Sequence, residues 1–244
     1  MSALSPVLAS QQATQTDITT PEYNWQYLLE HSLAKRLGAS TTLCLPGAEP
    51  LHYFTFLSLL RSGQHAFVCG SPVDGWDAFV RQRLHPSGIA VRHSHTGDRE
   101  SFSSRLREET RLLYWFAPQH IDAEAYKDLE VLHRLSRHYR LPLLADLRQC
   151  TDRSFNPLQH GCTLAIGGGA GTGFAWLAEA EGLSWNSGYF PHIAHQEEQE
   201  GLCAYIRQQW LSFLHLGLSD TEASQAWQRL LGGSYFLNTK GGQA

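Results

Sequence analysis

From Thr41 to Ile166 the sequence alternates between two kinds of segment. Short apolar runs occur at 41–45 ("TTLCL"), 65–69 ("HAFVC"), 89–94 ("IAVRHS"), 111–116 ("RLLYWF"), 142–146 ("PLLAD") and 163–166 ("TLAI"). Amphipathic stretches at 48–60, 75–84, 98–108 and 122–138 separate them, the last with Leu129, Leu132 and Leu135 on one side. Strands that alternate with helices return parallel, through right-handed crossovers. The expected fold class is therefore α/β, a mostly parallel seven-stranded-type sheet with helices on both faces. In such sheets functional residues gather at the carboxyl ends of the strands. That places interest on Pro46-Gly47, Gly70-Ser71, Ala117-Pro118, Asp146 and Gly167 onward.

The flanks read differently. Residues 1–19 are rich in Ser, Thr, Gln and Ala without a sustained period and are expected to form an N-terminal arm. A helix then begins with Thr20 as cap and Pro21 in its first turn, and Gly38 closes it. Trp25, Leu28, Leu29, Leu33 and Leu37 form its apolar stripe. After Gly182 two helices are expected, at 196–216 and 219–231. Leu202, Tyr205, Ile206, Trp210, Phe213 and Leu214 lie on the apolar side of the first, part of which is expected to face another subunit. The domain reading is an arm (1–19), one large domain (20–235) and a loose polar tail (236–244).

Composition narrows the function classes. The 244 residues carry a net charge of −4, so no basic excess points to nucleic acid or to an anionic membrane. No run approaches the ~20 apolar residues of a membrane span. The N-terminus lacks the charged and apolar regions of a signal peptide, so a cytoplasmic location is expected. The five cysteines are scattered without a CxxC pair and read as buried small hydrophobes. Among the thirteen histidines, His93 with His95, and His192 with His195 followed by Glu197 and Glu198, are the best local pairs for a metal. Neither has an HExxH pattern, and no metal site is expected. No G-x-S-x-G elbow supports a serine nucleophile.

The segment "LAIGGGAGTGFAWLAEAEG", beginning at Leu164, tests for a phosphate loop. A dinucleotide fingerprint needs G-x-G-x-x-G before a helix. Counting from Gly167 the sixth residue is Thr172, and from Gly169 it is Phe174. No lysine completes a Walker A loop, and "FAWLAEA" alternates like a strand. The glycines read instead as a turn between strands.

Four longer segments carry a family resemblance. They are "EHSLAKRLGASTTLCLPGAEPLHYFTFLSLLRSGQHAFVCG", "GIAVRHSHTGDRESFSSRLREETRLLYWFAPQ", "DLEVLHRLSRHYRLPLLADLRQC" and "NPLQHGCTLAIGGGAG". Their order from about residue 21 to 230 resembles the large domain of the Cys/Met-metabolism (trans-sulfuration) enzymes that use pyridoxal phosphate (PLP), of the aspartate-aminotransferase fold type I. The resemblance implies a site at the strand ends and allows residue-by-residue transfer. The lysine that binds PLP covalently falls at Gly171, and the phosphate-holding serine three residues earlier falls at Gly168. Asp146 matches the aspartate that pairs with the pyridine nitrogen; on its own it could equally cap local backbone amides. Gly47 matches the phosphate-turn glycine, flanked by Pro46 and Ala48 in place of serine and methionine. Val73 stands where the ring-stacking tyrosine would be, with Trp76 nearby but expected to face elsewhere. His120 replaces an asparagine and reads as a polar loop residue. Arg148 replaces a threonine; it could meet an anion, but a surface salt bridge is the favoured reading. Near the N-terminus Tyr23 and Tyr27 have no arginine in step to complete a Y-x-R pair.

Lysine is scarce. Lys35 and Lys127 fall on expected helices and Lys240 in the tail, and a Schiff base needs a side-chain amine. The resemblance thus implies a degenerate member, without the smaller C-terminal domain and without catalytic residues. Gly47, Ala48, Val73, Asp146, Arg148 and Gly168 are its vestigial cofactor positions. No cofactor is expected, PLP being possible only non-covalently. The expected role is a non-catalytic, structural or regulatory subunit, as a homodimer or with a full-length PLP enzyme of sulfur amino-acid metabolism. The alternatives are a lyase or synthase working with non-covalent PLP, and a small-ligand binding module.

Overall fold

A seven-stranded sheet forms the centre of the protein, in the order β1-β7-β6-β5-β4-β2-β3. The strands are β1 (Ala39–Pro46), β2 (His65–Cys69), β3 (Ala90–Ser94), β4 (Thr110–Phe116), β5 (Leu143–Asp146), β6 (Leu164–Gly168) and β7 (Phe174–Ala180). The computed structural model describes residues 25–168, 174–181, 189–190, 193 and 201–214. The arm at 1–19, the helix expected at 219–231 and the tail at 236–244 lie outside these residues. β3, β2, β4, β5 and β6 run parallel. β7 is antiparallel to both of its neighbours, β6 and β1. The carboxyl ends of β1, β2, β4, β5 and β6 therefore share one edge.

The central strands β2, β4 and β5 are buried because helices cover both faces. Along β4, Leu112, Tyr114 and Phe116 enter one core with Phe56, Phe79 and Ile206, while Leu113 and Trp115 enter another with Leu129 and Leu132. The first core lies under α2 (Ala48–Leu59) and α6 (Gly201–Leu214), the second under α5 (Ala123–Tyr139). α5 has the clearest local signals. Asp122 accepts a hydrogen bond from the Ala125 amide at 2.8 Å, and Arg140, left-handed at φ 54°, ends the helix before Pro142.

Two helices are less regular than the sequence suggests. Residues 75–84 form one α-turn, α3 (Trp76–Phe79), continued by a π-helix over Val80–Leu84. Trp76, Phe79 and Leu84 all reach the core. The stretch 98–108 is a 3₁₀ turn followed by a short α4 (Phe102–Arg105), and the chain is extended at Leu106. Only Phe102 there is buried, and one buried ring does not support a long helix. The loop is held by polar contacts instead: buried Asp128 accepts from the Gly97 amide and from Arg99.

α1 (Trp25–Leu37) covers β1, the edge strand beside β7. Its buried Glu30 accepts from the Cys44 amide at 2.8 Å and from Arg207 of α6 at 2.6 Å. On α6, Leu202, Ile206 and Trp210 are buried in the first core. Cys44, Cys69, Cys162 and Cys203 are buried as well, and all five thiols are free. Burial, with Glu30 beside it, pushes the Cys44 thiol up to about 12, and burial raises the others too. None is poised as a thiolate nucleophile.

At the opposite end of the sheet, His65 begins β2 with its Nδ1 2.8 Å from the Thr110 hydroxyl. Its Nε2 is buried without a hydrogen-bond partner among the described residues. Burial first, then the nearby Arg107 and Arg92, lowers its pKa from 6.5 to about 4. A depressed histidine opposes folding once the unfolded chain protonates. Stability is therefore expected to fall as pH drops from 6.5 to about 4, by at most about 1.4 kcal/mol per pH unit. His65→Phe should flatten that slope in urea melts. Equal slopes for variant and wild type would refute the assignment.

Candidate functional site

The shared carboxyl edge brings Pro46-Gly47, Gly70-Ser71, Ala117, Asp146 and Gly167-Gly168 together, as the strand directions require. Asp146 is its chemical centre. It is the last residue of β5, lies between Phe116 and Ile166 in register, and is completely buried.

Its carboxylate is fully engaged. Oδ1 accepts from the Arg148 amide at 3.1 Å and from Arg148 Nε at 3.0 Å. Oδ2 accepts from Arg148 Nη2 at 2.7 Å and from the Tyr114 hydroxyl at 2.6 Å. His52 Nε2 stands 3.2 Å from that hydroxyl and 3.6 Å from Oδ2. Its Nδ1 lies 2.8 Å from the Ala48 carbonyl. A carbonyl only accepts, so the neutral ring carries its proton on Nδ1.

The electrostatics follow from burial and one cation. Burial by itself raises the Asp146 carboxyl. The charge of Arg148, with its hydrogen bonds to both carboxylate oxygens, outweighs it and holds the group far below the usual carboxylate range. Burial lowers the Arg148 guanidinium, but the Asp146 charge more than reverses this. Burial and then Arg148 lower His52, which keeps the ring neutral. Burial and then Asp146 raise Tyr114, so its hydroxyl stays protonated and donates. The result is one buried ion pair flanked by two neutral polar groups.

The sequence favours a surface salt bridge for Arg148. The structure corrects this: its side chain is only 6% exposed and its partner Asp146 not at all. Asp146 meets both the local amide and the guanidinium, so the capping reading holds in part. Sequence reasoning misses His52, Tyr114 and Gln149. A hydroxyl in the middle of the apolar run "RLLYWF" is the available signal, because a buried tyrosine needs a partner for its OH. Gln149 Nε2 donates to the carbonyls of Ser71, at 2.9 Å, and Ala117, at 3.0 Å. It thereby lays the loop after β5 across the ends of β2 and β4.

The other positions resolve one by one. Gly47, at φ 82°, precedes α2 without a side-chain cap. Ala48 and Val73 pack against the first core. Trp76 is buried among Phe56, Tyr114 and Phe116. The first turn of α2 carries Glu49, already a favourable charge for a helix start, 3.4 Å from Arg83. Gly168 has φ 93°, and a Cβ there would meet the Phe174 carbonyl at 2.6 Å and the Ala175 Cα at 2.8 Å. Gly171 lies outside the described residues. His120 sits in an exposed loop 3.3 Å from the Thr151 hydroxyl. The His93 and His95 rings lie edge to face, 5.1 Å apart. Among the described residues no group of His, Cys, Asp and Glu could hold a metal. His192, His195, Glu197 and Glu198 lie outside them, as does Tyr23. Tyr27 is exposed on α1 and stacks on His31.

Two solved structures share this architecture. One is described as an O-acetylhomoserine (thiol)-lyase from Campylobacter jejuni, with a TM-score of 0.65 at 17% identity over 84% of this chain. The other is O-acetylhomoserine sulfhydrylase from Wolinella succinogenes, with a TM-score of 0.64 at 21% identity over 86% of this chain. The fold is PLP fold type I. The chain spans 54% and 63% of the lengths of these two neighbours. No family model and no curated protein sequence matches it. No helix among the described residues is long and apolar enough to cross a membrane.

The fold type I likeness corrects one expectation. The Campylobacter structure carries N′-pyridoxyl-lysine-5′-monophosphate. A chain with this fold cannot be assigned the absence of a cofactor, and that expectation is withdrawn. PLP needs an acceptor for its ring nitrogen, donors for its phosphate and an amine for its aldehyde. Asp146 is an acceptor of the right kind, but its lone pairs are already filled. Lys35 lies exposed on α1, and Lys127 lies exposed on α5, 2.7 Å from Glu124. Among the described residues the fit rests on Asp146 alone, and it requires Arg148 to move.

Proposed function

We propose that this chain is a non-catalytic member of the PLP fold, a structural or regulatory subunit that pairs with a catalytic PLP enzyme of sulfur amino-acid metabolism. The observation that carries this reading is the pairing of Asp146 with Arg148 of the same chain, where the resemblance implies a ring nitrogen. The glycine at position 171, where the resemblance implies the covalent lysine, supports it. The retained aspartate favours a second reading, an enzyme holding PLP non-covalently.

The experiment is incubation of the purified chain with PLP, borohydride reduction and peptide mass analysis. The expected result is no stoichiometric adduct on any single lysine. A reducible bond to one defined lysine at one equivalent would overturn the proposal and restore a covalent PLP enzyme. Turnover of homoserine-, cysteine- or cystathionine-type substrates by the isolated chain would select the second reading.

A further inference from the structure

We infer that the loop after β5 is the internal occupant of the strand-end site: a ring-bearing ligand reaches Asp146 only in exchange for Arg148. This rests on reading the carboxyl edge as a PLP-type site.

The carboxylate has about four lone-pair directions. The Arg148 amide, its Nε, its Nη2 and the Tyr114 hydroxyl use them. A pyridine nitrogen at Asp146 and the Arg148 guanidinium at Asp146 are therefore mutually exclusive. The next residue does the same to the backbone, for Gln149 donates to the carbonyls of Ser71 and Ala117, just beyond β2 and β4. Two consecutive side chains thus fill the polar positions of three strand ends. The sheet does not depend on them: the Leu147 amide still bonds the Ile166 carbonyl, and the Cys150 amide closes a turn onto Leu147. Arg148 can leave Asp146 by side-chain rotation, without unpairing β5. The ligand affinity of the wild-type chain is then reduced by the fraction of molecules in which Arg148 has left.

The test uses pyridoxine 5′-phosphate, which keeps the ring and phosphate but has no aldehyde to react with surface lysines. Four full-length proteins are compared by equilibrium dialysis and ligand fluorescence: wild type, Arg148→Thr, Arg148→Gln and the double variant Asp146→Asn/Arg148→Thr. Arg148→Gln keeps a neutral donor over Asp146, so it carries the test if the threonine variant does not fold. The expected result is at least about tenfold tighter binding by Arg148→Thr and a smaller gain by Arg148→Gln. The gain should vanish in the double variant. Equal affinities for wild type and the Arg148 variants, weakened by Asp146→Asn, would overturn the latch and leave the site reading intact. A gain that survives Asp146→Asn would overturn both. So would the absence of binding by every folded protein at millimolar ligand.

Discussion

Asp146→Ala is expected to destabilise the protein by about 3–5 kcal/mol, read as a lower urea midpoint at an unchanged slope. The reason is the cation left behind. The Arg148 side chain is 6% exposed, and its charge is compensated by this carboxylate. Arg148→Ala should cost a similar amount, because it leaves a buried carboxylate facing only Tyr114 and His52. Removing both charges should cost less than the two single losses together. A double-mutant cycle measures that difference, and for a buried pair it should fall within about 0.5–3 kcal/mol. Additive losses would mean that the pair is not coupled. The sign with pH follows from the depressed Asp146. Its stabilisation is complete above the usual carboxylate pKa of 3.8 and is lost only as pH falls through the far lower folded value. The wild-type advantage over Asp146→Asn should therefore persist through mild acid.

Gly168→Ser is the second large effect. It would restore the residue that the resemblance implies for phosphate binding, yet it is expected to cost about 2–6 kcal/mol. Two penalties add: a backbone conformation that L-residues avoid, roughly 1–3 kcal/mol, and overpacking of about the same size. Here the new Cβ would press on backbone atoms of Phe174 and Ala175, which cannot rotate away. Gly63 separates the penalties. It has φ 84°, and a Cβ added there would have no neighbouring atom within 4 Å, so Gly63→Ser carries the conformational cost alone. If Gly168→Ser costs no more than Gly63→Ser, the steric part of the argument is wrong. If it costs more, the absent serine is dictated by β7 lying against β6, and not merely by loss of a ligand.

The sheet is legible in the sequence because its strands are apolar and short, and because Gly and Pro punctuate the chain between them. The run at 65–69 reads directly as β2, since every residue in it is buried. The antiparallel turn of β7 can be read as a strand from "FAWLAEA", but its place between β6 and β1 cannot. Pairing across that separation is decided by the whole sheet. The site is legible as a set of strand ends. Its chemistry is not, because the favoured surface reading of Arg148 ignores how β5 buries whatever folds back onto Asp146. His52 is invisible for a related reason. It sits on a largely apolar helix, and the side-chain partner of its Nε2, the Tyr114 hydroxyl, comes from a strand 62 residues further along the chain.

The position of β7 also orders events in time. Among the described residues β1 has one ladder partner, and that partner is β7, whose residues are synthesised long after Pro46 leaves the ribosome. At roughly 5–20 residues per second the wait is on the order of ten seconds. Throughout it Leu43 and Leu45, which finish wholly buried, belong to a strand with nothing to pair with. A chain broken off anywhere before Phe174 would consequently lose more than β7 itself. β1 would have no ladder left to join, and α1 would lose the surface on which it rests.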